Sequence, residues 1–130
     1  MRAPLTVQKL KMWQKSMDLV EACYGISASF PRDERFGLLS QSKRAATSIP
    51  ANIAEGYGRW NVREFARFLA IANGSLRELE THILIAKRLG YVAPGAAIPI
   101  LESAAEVARM IYAMRLKIQS RLMAEKKDRE

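Results

Sequence analysis

One cysteine and one histidine among 130 residues leave this chain little redox or metal chemistry. Cys23 has no second thiol for an intramolecular disulfide and no cysteine cluster with which to hold zinc or an iron–sulfur centre, so a reducing cytoplasmic setting is expected. His82 has no nucleophile paired with it in the sequence. Bundles that hold two metals use Glu-x-x-His on two helices, whereas here the single histidine has Leu79 three positions before it. No stretch approaches the roughly 18 apolar residues of a membrane span, and Met1 to Leu10 lacks the apolar core of a leader, so neither insertion nor secretion is expected. Strand alternation, internal repeats, low-complexity tracts and long linkers are missing as well. Gly56-Tyr57-Gly58 is too short, and follows no strand, for a phosphate-binding loop, so it reads as a turn. The expectation is a chain with no catalytic residue, cofactor or metal, hence not an enzyme.

What the sequence has in excess is positive charge. There are 21 Lys and Arg against 13 Asp and Glu, a formal net charge of +8, which favours acidic partners such as nucleic acid. Apolar residues make up 49 % and charged ones 26 %, ordinary values for a globular protein. The length fits one domain over residues 1–130.

Apolar residues recur every three or four positions in four segments, predicting helices over roughly 8–30, 34–56, 62–89 and 96–123. In the first, Leu10, Trp13, Met17, Val20 and Tyr24 form one row and Leu19, Cys23, Ile26 and Phe30 another, stopping at Pro31. The second carries Leu39, Ser42, Ala46, Ile49 and Ile53, with Asp33 and Glu34 suited to its positive end and Gly56 as its stop. Asn61 followed by Glu64 is a cap signature for the third, which holds Phe65, Leu69, Ala72, Leu76, Leu79, Ile83 and Ala86. Gly90 ends it, Ala93-Pro94-Gly95 is a short connection, and Leu101, Ala104, Ala108, Ile111, Ile118 and Leu122 mark the fourth. Glu125 to Glu130 are charged and expected to fray. Short loops between long helices imply an all-α, antiparallel up-down-up-down four-helix bundle.

Beside the apolar row of the second helix runs a polar one that includes Gln41, Ser48, Asn52 and Glu55, interrupted by Pro50. An interior proline removes one helical donor and crowds the carbonyl a turn back, at a cost of about 3 kcal/mol unless the site accommodates it. Asn73, Ser75, Glu78 and Glu80 are the matching polar residues of the third helix, flanking Ala72 and Gly74, whose small size would let the helices approach. A buried polar network fixing helix register is the favoured reading, and a binding or catalytic role is the alternative.

Several stretches carry a family resemblance: Trp13-Gln14, Phe30-Pro31-x-x-Glu34-x-Phe36-Gly37-Leu38, the run from Ser40-Gln41 through Ser48-Ile49-Pro50-Ala51-Asn52-Ile53-Ala54-Glu55-Gly56, and Gly74-Ser75-x-x-Glu78-Leu79-Glu80. Together they resemble the proteins named for intervening sequences in 23S ribosomal RNA genes, also labelled S23 ribosomal proteins. The resemblance covers nearly the whole chain. It implies a four-helix bundle assembled into a homopentameric ring, similar also to the accessory protein that works beside the reverse transcriptase of diversity-generating retroelements. Nucleic-acid binding is the activity it suggests.

For such binding the candidates are Lys43 and Arg44 on the second helix, Arg59 and Trp60 in the turn, Arg63, Arg67 and Arg77 on the third helix, and Lys87 and Arg88 at its end. Arginine grips phosphate through paired hydrogen bonds, and Trp60 or Tyr57 could stack on an unpaired base. Glu64, Glu78 and Glu80 offer these arginines ordinary ion pairs instead. No helix-turn-helix spacing, aromatic RNA-recognition pattern or zinc knuckle supports reading of base sequence. Trp60, Tyr91, Met110 and Met114 suit a subunit interface, and five copies would gather about forty positive charges on one particle. A protein partner is the competing expectation.

Overall fold

A computed structural model describes residues 4–129, and these are helical almost throughout. Four long helices, α1 (Lys11–Gly25), α2 (Leu38–Gly58), α3 (Val62–Arg88) and α4 (Pro94–Arg129), follow a 3-10 turn at Pro4–Lys9. Residues 1–3 and Glu130, at the two ends of the expected domain, lie outside the described residues. No helix among the described residues is long and apolar enough to cross a membrane. Each long helix packs on two others: α1 on α2 and α4, α3 on α2 and α4.

The core is built where the apolar period predicts it. Leu19 and Cys23 of α1, Ala46, Ile49 and Ile53 of α2, Leu69, Leu76, Leu79 and Ile83 of α3, and Val107 and Ile111 of α4 are buried together. In α1 the innermost row is Met12, Ser16, Leu19 and Cys23, with Leu10, Trp13 and Val20 packed beside it. Met17 and Tyr24, expected on the principal row, are exposed. The apolar stripe of α1 is wider than its contact with the neighbours, so its edge meets solvent. Ser16 is tolerated inside because its hydroxyl donates to the Trp13 carbonyl at 2.7 Å.

The segment between α1 and α2 departs most from the expected boundaries. Helix α1 ends at Gly25 rather than near residue 30, and Ser27–Ser29 form a single 3-10 turn closed by Ser29 Oγ donating to the Ile26 carbonyl at 2.7 Å. Serine hydroxyls compete for backbone carbonyls, and Pro31 holds Phe30 extended at φ −79°, ψ 145°. Helix α2 begins at Leu38 rather than 34 because Glu34 folds forward as its cap, its Oε1 accepting from the Leu38 amide at 3.0 Å. Gly37 leaves room for that carboxylate: a Cβ there would stand 2.6 Å from Glu34 Oε1. The other oxygen of Glu34 accepts from the Tyr91 hydroxyl at 3.2 Å, tying this entry to the exit of α3. Desolvation, then the Glu34 contact, raise the Tyr91 phenol above its usual range.

Helix α2 runs through Pro50 and past Gly56 to Gly58. Gly56 is not a terminator. It is buried where α2 meets α3, and a Cβ would stand 2.6 Å from Phe68 Cβ. Gly74, expected to allow the close approach from the other side, has nothing within 4 Å of its Cβ position. The turn proper is Arg59 and Trp60, and its left-handed residue is Trp60, at φ 59°. A non-glycine residue there costs on the order of 1–2 kcal/mol. Asn61 then caps α3 as its spacing predicts, Oδ1 accepting from the Glu64 amide at 2.9 Å. Helix α4 continues to Arg129, beyond the expected end near 123, so the charged tail described up to that residue is helical.

Candidate nucleic-acid interface

The polar motif divides into an inner and an outer part. Ser48 and Ser75 hydroxyls meet across α2 and α3 at 2.7 Å, and Asn52 Nδ2 donates back to Ser48 Oγ at 2.9 Å and to the Ser48 carbonyl at 2.7 Å. One short chain of hydrogen bonds therefore joins the two helices beside Pro50. Gln41, Glu55 and Glu78 stand outside it, exposed to solvent. Glu55, expected to reach α3, instead accepts from Arg59 Nη2 at 2.9 Å. These bonds tie α2 to α3, as the register reading expects.

The expected basic candidates fall into separate groups. Lys43 and Arg44 lie fifteen or more residues from Arg59 along one helical run, about 22 Å at the helical rise, so they form no single patch. Lys43 sits 4.7 Å above the Tyr24 ring, joining α1 to α2. Lys87 and Arg88 are exposed in the last turn of α3, about 36 Å along that helix from Arg63. Arg77 pairs with Glu80 at 2.8 Å midway between.

Around the turn, two of the three expected arginines already have structural work. Arg67 donates from Nε and Nη2 to the two oxygens of Glu64 at 3.0 and 3.3 Å. That hydrogen bond, with the nearby positive charges of Arg67 and Arg59, holds the Glu64 carboxyl below its usual range. The Arg59 and Arg67 guanidinium groups also lie 5.3 and 4.5 Å from the Phe68 ring centroid, covering the residue on which Gly56 packs. Arg63 is exposed and forms no ion pair among the described residues.

What the turn does assemble is a groove with α4. Tyr57, Trp60 and Phe65 line one side, Lys117 and Arg121 the other, around an open volume of about 470 Å³ with no carboxylate on its walls. Tyr57 and Phe65 meet edge to face, 5.7 Å between centroids. Trp60 is 58 % exposed. Lys117 and Arg121 are one helical turn apart and so share a face of α4. Neither cation stands among the candidates that the sequence suggests, and only the packing of α4 on α3 brings them opposite the aromatic residues. Their four-residue spacing was the one signal available.

Elsewhere the described residues contain no group of three His, Cys, Asp or Glu side chains able to hold a metal. Cys23 is buried and burial pushes its thiol up to about 12, a packed side chain rather than a nucleophile. His82 Nδ1 is buried without a hydrogen-bond partner among the described residues.

No curated protein matches this sequence. A crystal structure of a protein of unknown function from the S23 ribosomal protein family of Bacteroides thetaiotaomicron superposes with a TM-score of 0.74, covering 80 % of this chain and 97 % of that one at 21 % identity, which shows the shared fold. The family model described as 23S rRNA-intervening sequence protein matches residues 8–113, most of the sequence and three of its four helices in full, and the chain belongs to that family.

Proposed function

We propose that this protein is a non-enzymatic, basic binder of nucleic acid that grips the phosphate backbone without reading base sequence. The observation that carries the reading is the groove in which Lys117 and Arg121 face Tyr57, Trp60 and Phe65 with no carboxylate between them. Cations supply phosphate contacts and released counterions, while aromatic faces add stacking that any base can satisfy. The net charge of +8 draws a polyanion toward the whole molecule. The test is fluorescence anisotropy with mixed RNA and DNA pools across a salt series. Affinity should fall steeply with salt, and Lys117→Ala with Arg121→Ala should flatten the slope by about two phosphate contacts. Absence of salt-dependent binding to either pool overturns the reading.

A second reading, a self-assembling scaffold that presents surfaces to a protein such as a reverse transcriptase, draws on the outer face of α4. Tyr112, Leu116 and Met123 repeat there at helical spacing, exposed, and Tyr112 is 63 % accessible. The order of α2–α3 contacts, Glu34 with Tyr91, Ser48 with Ser75 and Gly56 with Phe68, supports the antiparallel reversal on which an up-down bundle and its ring are built. A ring of five would scatter light as about five times the 14.6 kDa monomer. A monomer mass at micromolar concentration removes the ring.

A further inference from the structure

We infer that the groove between the α2–α3 turn and α4 is a seat for one unpaired nucleobase, so that single-stranded RNA or DNA is the preferred partner and duplex is not. The inference rests on the nucleic-acid reading above and makes it specific. Three observations carry it. First, the aromatic residues are grouped rather than scattered: Tyr57 and Phe65 pack edge to face on one wall, with the exposed indole of Trp60 beside them on the same groove. An exposed indole face near cations matches a base with its phosphate, and a base is open to such a face only when it is unstacked.

Second, the charge on the groove is of one sign. Lys117 and Arg121 lie on its α4 side; Glu55 and Glu64 are held off its walls by Arg59 and Arg67, while Glu125 pairs with Arg121 itself at 3.6 Å, an exposed pair open to exchange for phosphate. Third, Trp60 occupies the one left-handed non-glycine position among the described residues. Glycines stand at 56 and 58, yet the residue bent into that conformation is the large indole, exposed on the rim of the groove. Backbone strain kept at an exposed aromatic residue marks a position held for its side chain. The groove, at about 470 Å³, is the size of a small-ligand site and open along one side, as a base on a continuing strand requires.

The test uses the whole protein with fluorescein-labelled fifteen-nucleotide strands, oligo-dT and oligo-U, and with a duplex of the same length at one salt concentration. Both single strands should bind about tenfold or more tighter than duplex. In a Trp13→Phe background the single strands should quench the fluorescence of Trp60, as stacking does. Trp60→Gly suits the left-handed position and so should fold; it should lose roughly five- to a hundredfold in single-strand affinity while duplex binding stays unchanged. Trp60→Phe should retain most of the affinity. Equal affinity for strand and duplex, or a folded Trp60→Gly protein that binds single strands as the parent does, overturns the base seat and leaves backbone binding standing. Failure of all three probes to bind overturns both.

Discussion

Replacing Gly56 by alanine should weaken this fold even though alanine is the better helix former. In an open helix the exchange gains up to about 1 kcal/mol. Here the new methyl would stand 2.6 Å from Phe68 Cβ and 3.1 Å from Phe65 Cδ1. Carbon atoms prefer about 3.5–4.0 Å, so α2 and α3 must part by about 1 Å. Phe68 cannot swing aside, because the obstructing atom is fixed directly to the α3 backbone. A gap of that size forfeits a quarter to a half of the dispersion attraction of the contacts it opens, and overpacking of this kind costs about 1–3 kcal/mol. The clash lies toward the upper end of that range because it is anchored in backbone. After the gain in propensity the net loss is about 1–2 kcal/mol, a fall in Tm of roughly 5 °C for a chain of this length. Gly74→Ala is the matched control. It too lies inside a helix, but nothing stands within 4 Å of its Cβ position, so it should raise Tm by a few degrees. Thermal melts followed by circular dichroism at 222 nm, checked by urea midpoints, measure both. If Gly56→Ala melts at or above the parent, the close approach of α2 and α3 does not constrain the fold.

Ser48→Ala and Ser75→Ala should each cost about 1 kcal/mol in urea unfolding, Ser48→Ala somewhat more because Asn52 also loses an acceptor, and the double variant clearly less than the sum, since both delete the same Ser48–Ser75 hydrogen bond. Additive losses would mean that the two hydroxyls act separately. Cys23, neutral in the fold up to about pH 12, ionises near 9 once unfolded, so the unfolded chain releases its proton first. Stability should therefore fall as pH rises from about 9 toward 12, at up to about 1.4 kcal/mol per unit. Cys23→Ala should flatten that slope, and a thiol reagent at pH 8 should label the parent only upon unfolding; rapid labelling of the native protein would contradict the burial. Glu34→Ala, which removes the cap on Leu38 and the partner of Tyr91, should lower Tm more than Glu34→Gln, which keeps one acceptor oxygen for the Leu38 amide and turns the amide NH2 toward the Tyr91 oxygen as a donor. Equal melting of the two variants would dismiss the cap.

The number of helices and the core rows of α2 and α3 were legible because a single apolar period runs through each without conflict. The start of α2 was not, because Glu34 acts by reaching forward, and a side chain that caps from four residues upstream looks in sequence like the first turn itself. Gly56 misled for a related reason: a glycine at an apparent helix end and a glycine under a crossing helix have the same local sequence, and only Phe68 distinguishes them. The pairing of Arg67 with Glu64 was legible as an ordinary ion pair, but the ties of the turn arginines to Glu55 and Phe68 depend on side-chain reach. The groove was least legible, since its two sides are more than fifty residues apart and meet only through packing.

The reach of α4 gives the family assignment an unexpected boundary. The family match ends at residue 113, and the two groove cations stand beyond it at 117 and 121. The aromatic side thus lies inside the matched span and the cationic side beyond it. Residues 114–130 hold six Lys and Arg against three acids, so three of the eight net charges come from this arm. Relatives in which the fourth helix is short, or has other residues at these two positions, would share the bundle and lack the cationic wall of the groove. Ligand affinity in this family should then follow the length and charge of one helix arm while the rest of the molecule stays the same, and an exchange of that arm between two members should carry the affinity with it.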